Sequence, residues 1–155
     1  MRIGHGFDAH PLVPGRPCVL GGVAIDSPEG PDGHSDGDVV LHALADALLG
    51  AVAGGDLGSV FGTSDPRFHG VSSSVFVREA WRRAGNAKVG NVDVTLVGSR
   101  PRVGPYVGTM RAVIADLLEM PVERVSVKAS SGNGLTDFGR GLGVSATVVL
   151  LLEEA

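Results

Sequence analysis

The sequence has very little cysteine, lysine or uninterrupted apolar character. One of its 155 residues is cysteine, and only two of its 13 basic residues are lysines. Cys18 by itself forms neither an internal disulfide nor a cysteine-rich zinc site, as is usual in cytoplasmic proteins. No apolar run approaches the ~20 residues of a membrane span, and the N-terminus lacks the features of a signal or transit peptide. We therefore expect a cytoplasmic protein that crosses no membrane.

Charge and composition exclude further classes. The net charge is -4 and the pI is about 5.6, so no basic stripe is available for a nucleic-acid backbone. Apolar residues make up 43% of the chain and the mean hydropathy is +0.22, which excludes a disordered linker. The 24 glycines are about twice the usual share of ~7%. Because we find neither repeats nor linkers, we expect residues 1–155 to form a single domain.

The hydrophobic pattern predicts elements in the order ββααβαββ. The predicted strands span residues 3–10, 18–25 (a hairpin or bulged strand), 91–97, 124–129 and 144–152, and the predicted helices span residues 38–53, 73–84 and 106–120. Residues 130–143 read as a glycine-rich loop. This order predicts an α+β (two-layer α/β) fold with a single mixed β-sheet and helices on one face.

The helix that starts at Asp38 is apolar nearly all round, which predicts that it is buried. Asp38, His42 and Asp46 interrupt it at i, i+4 and i+8 and so form one polar stripe. Such a stripe most often consists of a dipole-complementing acid, a hydrogen-bonded core histidine and an ion-paired acid. Asp8 and His10, however, lie on one side of an extended segment.

With His42, these two residues give one oxygen and two nitrogen ligands. Three protein ligands with a fourth position open are typical of a catalytic divalent metal, and this set favours zinc. Asp46, one turn beyond His42, either accepts the second ring N–H of that histidine or pairs elsewhere.

The segment before this helix has a second pattern, Gly-His-Ser-Asp-Gly-Asp at residues 33–38. Amides at a helix N-terminus, the Ser35 hydroxyl and the His34 imidazole together suit a phosphate group. An ordinary capping loop would show the same residues, so both interpretations stay open here.

Three blocks carry a family resemblance: residues 2–10 (RIGHGFDAH), residues 34–50 (HSDGDVVLHALADALLG) and residues 55–58 (GDLG). They closely resemble the 2-C-methyl-D-erythritol 2,4-cyclodiphosphate synthase family of the non-mevalonate isoprenoid pathway. Similarity continues through residues 90–95, 100–102, 127–129 and 139–141.

The resemblance implies an activity and an assembly. Family members convert 4-diphosphocytidyl-2-C-methyl-D-erythritol 2-phosphate into the cyclic diphosphate and CMP, because the 2-phosphate attacks the β-phosphorus. They are homotrimers with active sites between neighbouring subunits.

The resemblance also assigns roles to individual residues. Asp8, His10 and His42 match the zinc ligands, and His34 and Ser131 match the pair that stabilises the transition state. The resemblance also implies four sets of substrate contacts. Near the metal and phosphates they are Asp8, Ala9, His10, His34 and Ser35, and around the methylerythritol they are Asp56, Leu57, Gly58, Phe61, Gly62, Thr63, Ser64 and Asp65. Around the cytidine they are Gly98, Ser99, Arg100, Pro101, Arg102, Val103 and Gly104, and in the last loop they are Ser130, Ser131, Gly132, Asn133, Asp137 and Arg140.

The departures from the family lie in that last loop. The family usually has an acid at the position of Asn133, where it holds a second cation, Mg²⁺ or Mn²⁺. An amide carbonyl supplies no charge, so we expect a weaker second site, with Asp137 close enough to compensate. Arg140 matches a residue of the trimer's central channel, but Leu142 and Thr147 replace its usual acidic companions.

Two other functions stay open at this point. One is a different zinc-dependent phosphoester or nucleotide enzyme on the same scaffold. The other is a non-catalytic trimeric binding protein with a degenerate second-metal site.

Overall fold

The computed structural model describes residues 1–153. The strands are β1 (Arg2–Pro14), β2 (Cys18–Leu20), β3 (Val23–Ile25), β4 (Glu29–Pro31), β5 (Val89–Val97), β6 (Val125–Ser130) and β7 (Gly143–Leu152). The helices are α1 (Val39–Ala51), α2 (Leu57–Phe61), α3 (Ser74–Arg83), α4 (Val107–Leu117) and α5 (Thr136–Gly139).

Five strands form one mixed sheet in the order β4-β1-β7-β5-β6. Strand β7 is central and runs antiparallel to both β1 and β5, whereas β5 and β6 are parallel. The helices cover one face of this sheet, and the core lies between the two layers. The predicted single mixed sheet with helices on one face is therefore confirmed.

Helix α1 lies directly on β1 because two glycines leave room for its backbone. A Cβ atom added at Gly4 would overlap the carbonyl of Ala47, and one at Gly6 would overlap the carbonyl of Ala43. Nearly every residue of α1 is buried, as its all-round apolar pattern predicts. This close approach brings His42 of α1 to the residues that follow Gly6 on β1.

Asp38 joins the β2–β3 hairpin to the start of α1. Its carboxylate accepts hydrogen bonds from the amides of Val40 and Leu41, which cap the helix, and of Gly21 and Gly22 in the hairpin turn. Both turn glycines have positive φ, as a tight hairpin of this kind requires. Burial raises the pKa of Asp38 to about 6, although these four amides favour the ionised form.

Sequence patterns missed three short elements. Strand β4 is Glu-Gly-Pro, which has little intrinsic preference for a strand and pairs only because β1 continues to Pro14. Helix α2 has five residues and α5 has four, too few for a helical period to be visible. The predicted loop 130–143 therefore contains a turn of helix, and the predicted hairpin at 18–25 is present as β2–β3.

Within residues 1–153, no helix has both the length and the apolar character that a membrane span requires.

Candidate active site

Asp8, His10 and His42 converge where β1 passes the middle of α1. Nδ1 of His42 lies 2.9 Å from Oδ2 of Asp8, and Nε2 of His10 lies 3.0 Å from the same oxygen. The two ring nitrogens are 3.4 Å apart. One ligand atom from each residue lies within 4.8 Å of the others, so the three side chains could hold a metal ion. The predicted cluster is thus assembled from two separate elements.

The hydrogen bonds around this cluster fit a bound cation. The backbone of Asp32 hydrogen-bonds the His10 ring, and Nε2 of His42 contacts the hydroxyls of Ser35 and Ser73 at 2.9 and 2.8 Å. With the outward nitrogens occupied in this way, the inward nitrogens and the Asp8 carboxylate are left as the atoms that a cation could share. Such a donor set, with one oxygen and two imidazole nitrogens, suits zinc or another divalent transition metal.

Asp8 and His10 each stabilise the charged form of the other. Burial raises the pKa of Asp8, but hydrogen bonds and charge from His10 and His42 outweigh it and lower the pKa to about 2. Burial likewise lowers the pKa of His10, but Asp8 reverses this effect and leaves it raised. Asp8 is therefore ionised at neutral pH, and a proton on His10 competes with any metal ion for the same position.

Of the two alternatives stated for Asp46, its contacts favour pairing away from His42. Its carboxylate accepts a hydrogen bond from the amide of Leu57 at 2.8 Å and so fixes the start of α2. Ser35 and Ser73, not Asp46, lie on the second ring nitrogen of His42. The loops before α1 and α3 approach that nitrogen more closely than Asp46 does, which helical spacing does not reveal.

A cavity of about 510 Å³ opens beside the cluster. It is lined by all three cluster residues together with His34, Ser35, Asp46, Asp56, Leu57, Gly58, Phe61, Gly62, Thr63, Phe68 and Phe76. Phe61, Phe68 and Phe76 contact one another edge to face and form its apolar wall. Sequence reasoning missed Phe68 and Phe76, which come from a short turn and from the buried face of α3.

The segment around Asp56 and Asp65 is held by local hydrogen bonds. The carboxylate of Asp56 accepts from the amide of Ser59 and caps α2. The carbonyl of Asp65 lies 2.7 Å from Nε2 of His34, and because a carbonyl only accepts, that nitrogen carries a proton. Ser64 belongs to the same segment, between the cavity residue Thr63 and Asp65.

A second cavity, of about 480 Å³, contains most of the predicted cytidine loop and the hydroxyl pair. It is lined by Gly98, Ser99, Pro101, Arg102, Val103, Gly104, Pro105, Ala129, Ser130 and Ser131. The Arg100 side chain instead forms an ion pair with Glu29 at 2.9 Å. His34 and Ser131, expected to act together, line different cavities within one chain.

The last loop has a special backbone at the position where the family usually has an acid. Asn133 has φ 52° and ψ 31°, and both neighbouring glycines also have positive φ. Asparagine is among the few residues that tolerate this left-handed conformation. Asp137 forms an ion pair with Arg140 at 3.5 Å and lines a third cavity with Ala9 and His10.

The chain is similar along its full length to a well-defined group of proteins. The model of the YgbB family matches residues 1–153. A protein of Moorella thermoacetica named 2-C-methyl-D-erythritol 2,4-cyclodiphosphate synthase is 50% identical over 154 residues, which cover 98% of this chain and 94% of the relative. One of the same name from Actinobacillus succinogenes is 48% identical over 157 residues and is covered to 99%.

Solved structures agree with these relatives. A structure of 2C-methyl-D-erythritol-2,4-cyclodiphosphate synthase superposes with a TM-score of 0.89 at 42% identity, covering 98% of this chain and 100% of the other. A CDP-bound structure of that enzyme superposes with a TM-score of 0.85 at 40% identity, with the same coverage.

Proposed function

We propose that this chain, which belongs to the YgbB family, converts 4-diphosphocytidyl-2-C-methyl-D-erythritol 2-phosphate into 2-C-methyl-D-erythritol 2,4-cyclodiphosphate and CMP. It is a phosphorus–oxygen lyase of isoprenoid precursor biosynthesis. The observation that carries the proposal is the cavity in which Asp8, His10 and His42 converge beside His34 and Asp56.

The reaction needs positioning and charge neutralisation more than covalent catalysis. An oxygen of the 2-phosphate forms a bond to the β-phosphorus while the bond from that phosphorus to the CMP oxygen breaks, and CMP leaves with the electron pair. Because the chain carries a net charge of -4, a basic pocket supplies little of the positive charge required. A zinc ion held by Asp8, His10 and His42 would supply it as a Lewis acid on the phosphate oxygens.

The protein side chains orient the two phosphates and the sugar alcohol. His34, held by the Asp65 carbonyl, lines the cavity beside the Asp8–His10–His42 cluster, where it stabilises charge on the reacting phosphate together with Ser131. The carboxylate of Asp56 is the acceptor for hydroxyls of the methylerythritol. Residues 98–104, with Ser130, hold the cytidine against small side chains and backbone amides.

We infer that the working unit is a homotrimer in which Ser131 of one subunit faces His34 of the next. Two facts support this arrangement: His34 and Ser131 line different cavities within one chain, and Ile3, Phe7 and Val149 leave an apolar patch on the outer face of the sheet. The cytoplasmic location, the single domain over residues 1–155 and the absence of nucleic-acid or membrane partners stay predictions.

Phosphorus NMR of the purified protein with its cytidylyl substrate, zinc and magnesium tests the activity directly. We expect resonances of the cyclic diphosphate to appear together with an equal amount of CMP. An inert spectrum at saturating metals would instead favour a non-catalytic trimer, and release of a different phosphate product would favour another phosphoester enzyme.

Removal of one ligand tests the metal site. In His42→Ala the cluster loses one of its two nitrogens, so we expect loss of bound zinc and of turnover. Zinc per chain is measured by atomic emission after dialysis, with His5→Ala as the control for zinc occupancy because His5 lies outside the cluster. Full zinc occupancy in His42→Ala would refute the ligand assignment.

The second cation, Mg²⁺ or Mn²⁺, is tested at Asn133. Because its backbone is left-handed, Asn133→Asp adds a carboxylate there with less strain than a glutamate would cause. If Asn133 faces the second cation, we expect half-maximal turnover at a Mg²⁺ concentration several-fold below that of the wild type. An unchanged Mg²⁺ dependence would indicate that Asp137 or the substrate alone holds this ion.

A further inference from the structure

The carboxylate of Asp36 accepts hydrogen bonds from donors at the starts of two separate helices, α1 and α3. One of its oxygens accepts from the amide of Asp38 and from the hydroxyl of Ser73, and the other accepts from the amide of Ser73 at 3.0 Å. An ionised carboxylate only accepts hydrogen bonds, so a hydroxyl in contact with it is the donor. The O–H of Ser73 is therefore directed at Asp36 and at no other group.

Ser73 occupies the N-cap position of α3 but does not cap the helix. A serine at this position normally accepts a hydrogen bond from one of the first helical amides, and the side chain of Ser73 makes no such bond. The residue is fully buried, and its oxygen lies 2.8 Å from Nε2 of His42. The Ser73 side chain therefore contacts Asp36 and His42 instead of capping the helix.

The direction of these bonds determines which nitrogen of His42 is protonated. Because Ser73 donates its O–H to Asp36, its oxygen can only accept a hydrogen bond from Nε2. Nε2 therefore carries a proton, so Nδ1, which lies 2.9 Å from Asp8, is the nitrogen whose lone pair is free for a cation when one is bound. If Ser73 instead donated to Nε2, Nδ1 would carry the proton and could not bind a metal.

We propose that Asp36 and Ser73 are positioning residues that fix the tautomer of His42, so that its Nδ1 presents a lone pair to the divalent cation. The inference rests on the proposed function, since it concerns the same metal cluster. Neither residue touches the cation or the cavity: Asp36 acts on Ser73, and Ser73 acts on His42.

Ser35 is the other hydroxyl within reach of Nε2, at 2.9 Å. Its oxygen accepts from the amide of Gly37 and lies 3.3 Å from the oxygen of Ser73. The Ser35 hydroxyl has no carboxylate among these partners to fix it as a donor, so it can donate to or accept from Nε2 and suits either tautomer. The Asp36 carboxylate therefore determines the tautomer of His42, and it acts only through the Ser73 hydroxyl.

The zinc affinity of the metal-free protein tests whether Asp36 acts on His42 through Ser73. We would compare wild type, Ser73→Ala, Asp36→Asn and the double variant by competition with a chromophoric zinc chelator. Groups that orient metal-binding histidines are typically worth about 10- to 100-fold in affinity, and we expect a loss in that range for each single variant. We expect the double variant to bind no more weakly than the weaker single variant, because the effect of Asp36 needs the Ser73 hydroxyl.

Ser72→Ala is the matched control, since Ser72 is exposed and its hydroxyl bonds only to Ser74 among the side chains around it. Nitrogen-15 NMR of the histidine rings in the zinc-loaded protein gives a second readout. In wild type we expect metal-bound Nδ1 and a protected Nε2–H on His42. In Asp36→Asn we expect that proton to exchange faster, even if Ser73→Ala does not fold.

Three results would count against the pair. Zinc affinity in Ser73→Ala within twofold of wild type would overturn it, as would additive losses in the double variant, which indicate independent effects on the loops. A protonated Nδ1 on His42 in the zinc-loaded wild type would overturn it as well. Failure of the wild type to bind zinc would instead refute the metal site of the proposed function.

Discussion

Arg16 is a single side chain that organises the loop before α1. Its guanidinium donates to the carbonyls of Gly33 and Ser35 at 2.6 and 2.7 Å and to the carboxylate of Asp32 at 3.3 Å. The loop it holds carries His34 between the two bound carbonyls. No sequence pattern indicates this role, because an arginine in a turn is usually a solvated surface residue.

Replacement of Arg16 by methionine should destabilise the protein. The variant keeps much of the apolar stem but leaves two loop carbonyls without their donor, and we expect a loss of about 1–3 kcal/mol in the free energy of unfolding. Urea unfolding measures this loss. Arg67→Met is the control, since the Arg67 side chain is 80% exposed and pairs with nearby Asp65, and it should leave the urea midpoint nearly unchanged. Equal effects of the two changes would contradict this role of Arg16.

Helix α1 and strand β1 form the pair of elements on which the site depends. The cluster exists only because α1 approaches β1 closely enough for His42 to reach Asp8. Gly4 and Gly6 permit that approach, because they place no side chain between the strand and the helix backbone. The periodicity of α1 predicts its burial, but not which strand it lies on.

A methyl group added at this contact should lower the stability of the protein, whereas one added at an open position in a helix should raise it. Gly4→Ala forces α1 away from β1, and we expect a loss of about 1–3 kcal/mol or more in unfolding free energy. Gly108, in α4, has nothing within 4 Å of its added Cβ, so Gly108→Ala should raise stability by about 0.5–1 kcal/mol. Thermal denaturation followed by circular dichroism compares them, and an unchanged melting temperature in Gly4→Ala would refute the close contact.

At the scale of the whole molecule, the outer face of the sheet is the feature that a single chain leaves unexplained. Ile3 is 73% exposed, Phe7 54% and Val149 41%, and the first two lie on the same side of β1 while Val149 pairs with His5 between them. An apolar patch of this kind on a sheet face is typical of a subunit interface. It supports the trimer proposed above.

A charge in this patch should therefore dissociate the assembly. We expect the wild type to sediment at three times the 15.8 kDa of one chain, and Ile3→Glu to sediment at a lower mass. Turnover should fall with it, because the proposed site draws residues from two subunits. Val75→Glu, on the exposed side of α3, is the control and should stay trimeric. A monomeric wild type with full activity would refute the shared site.

Much of the fold could be predicted because its long elements carry strong patterns. The buried helix at 38–53 and the apolar strand at 144–152 correspond to α1 and β7 within a residue or two. Asp8, His10 and His42 could be grouped because residue types with metal chemistry stood out on otherwise apolar elements. Ser73 could not be recognised, since a serine before a helix predicts a cap, and its actual partners, Asp36 and His42, lie more than 30 residues away in sequence.

The shortage of lysine and cysteine and the metal-binding residue types were determined by the sequence alone, since composition and local periodicity need no knowledge of neighbours. The sequence also limited the fold to a sheet with helices on one face. Tertiary structure decided which hydroxyls contact His42, which amide Asp46 accepts from and which cavities His34 and Ser131 line. These contacts depend on how separate segments pack together, and a hydrogen bond between distant residues leaves no periodic signal in the chain.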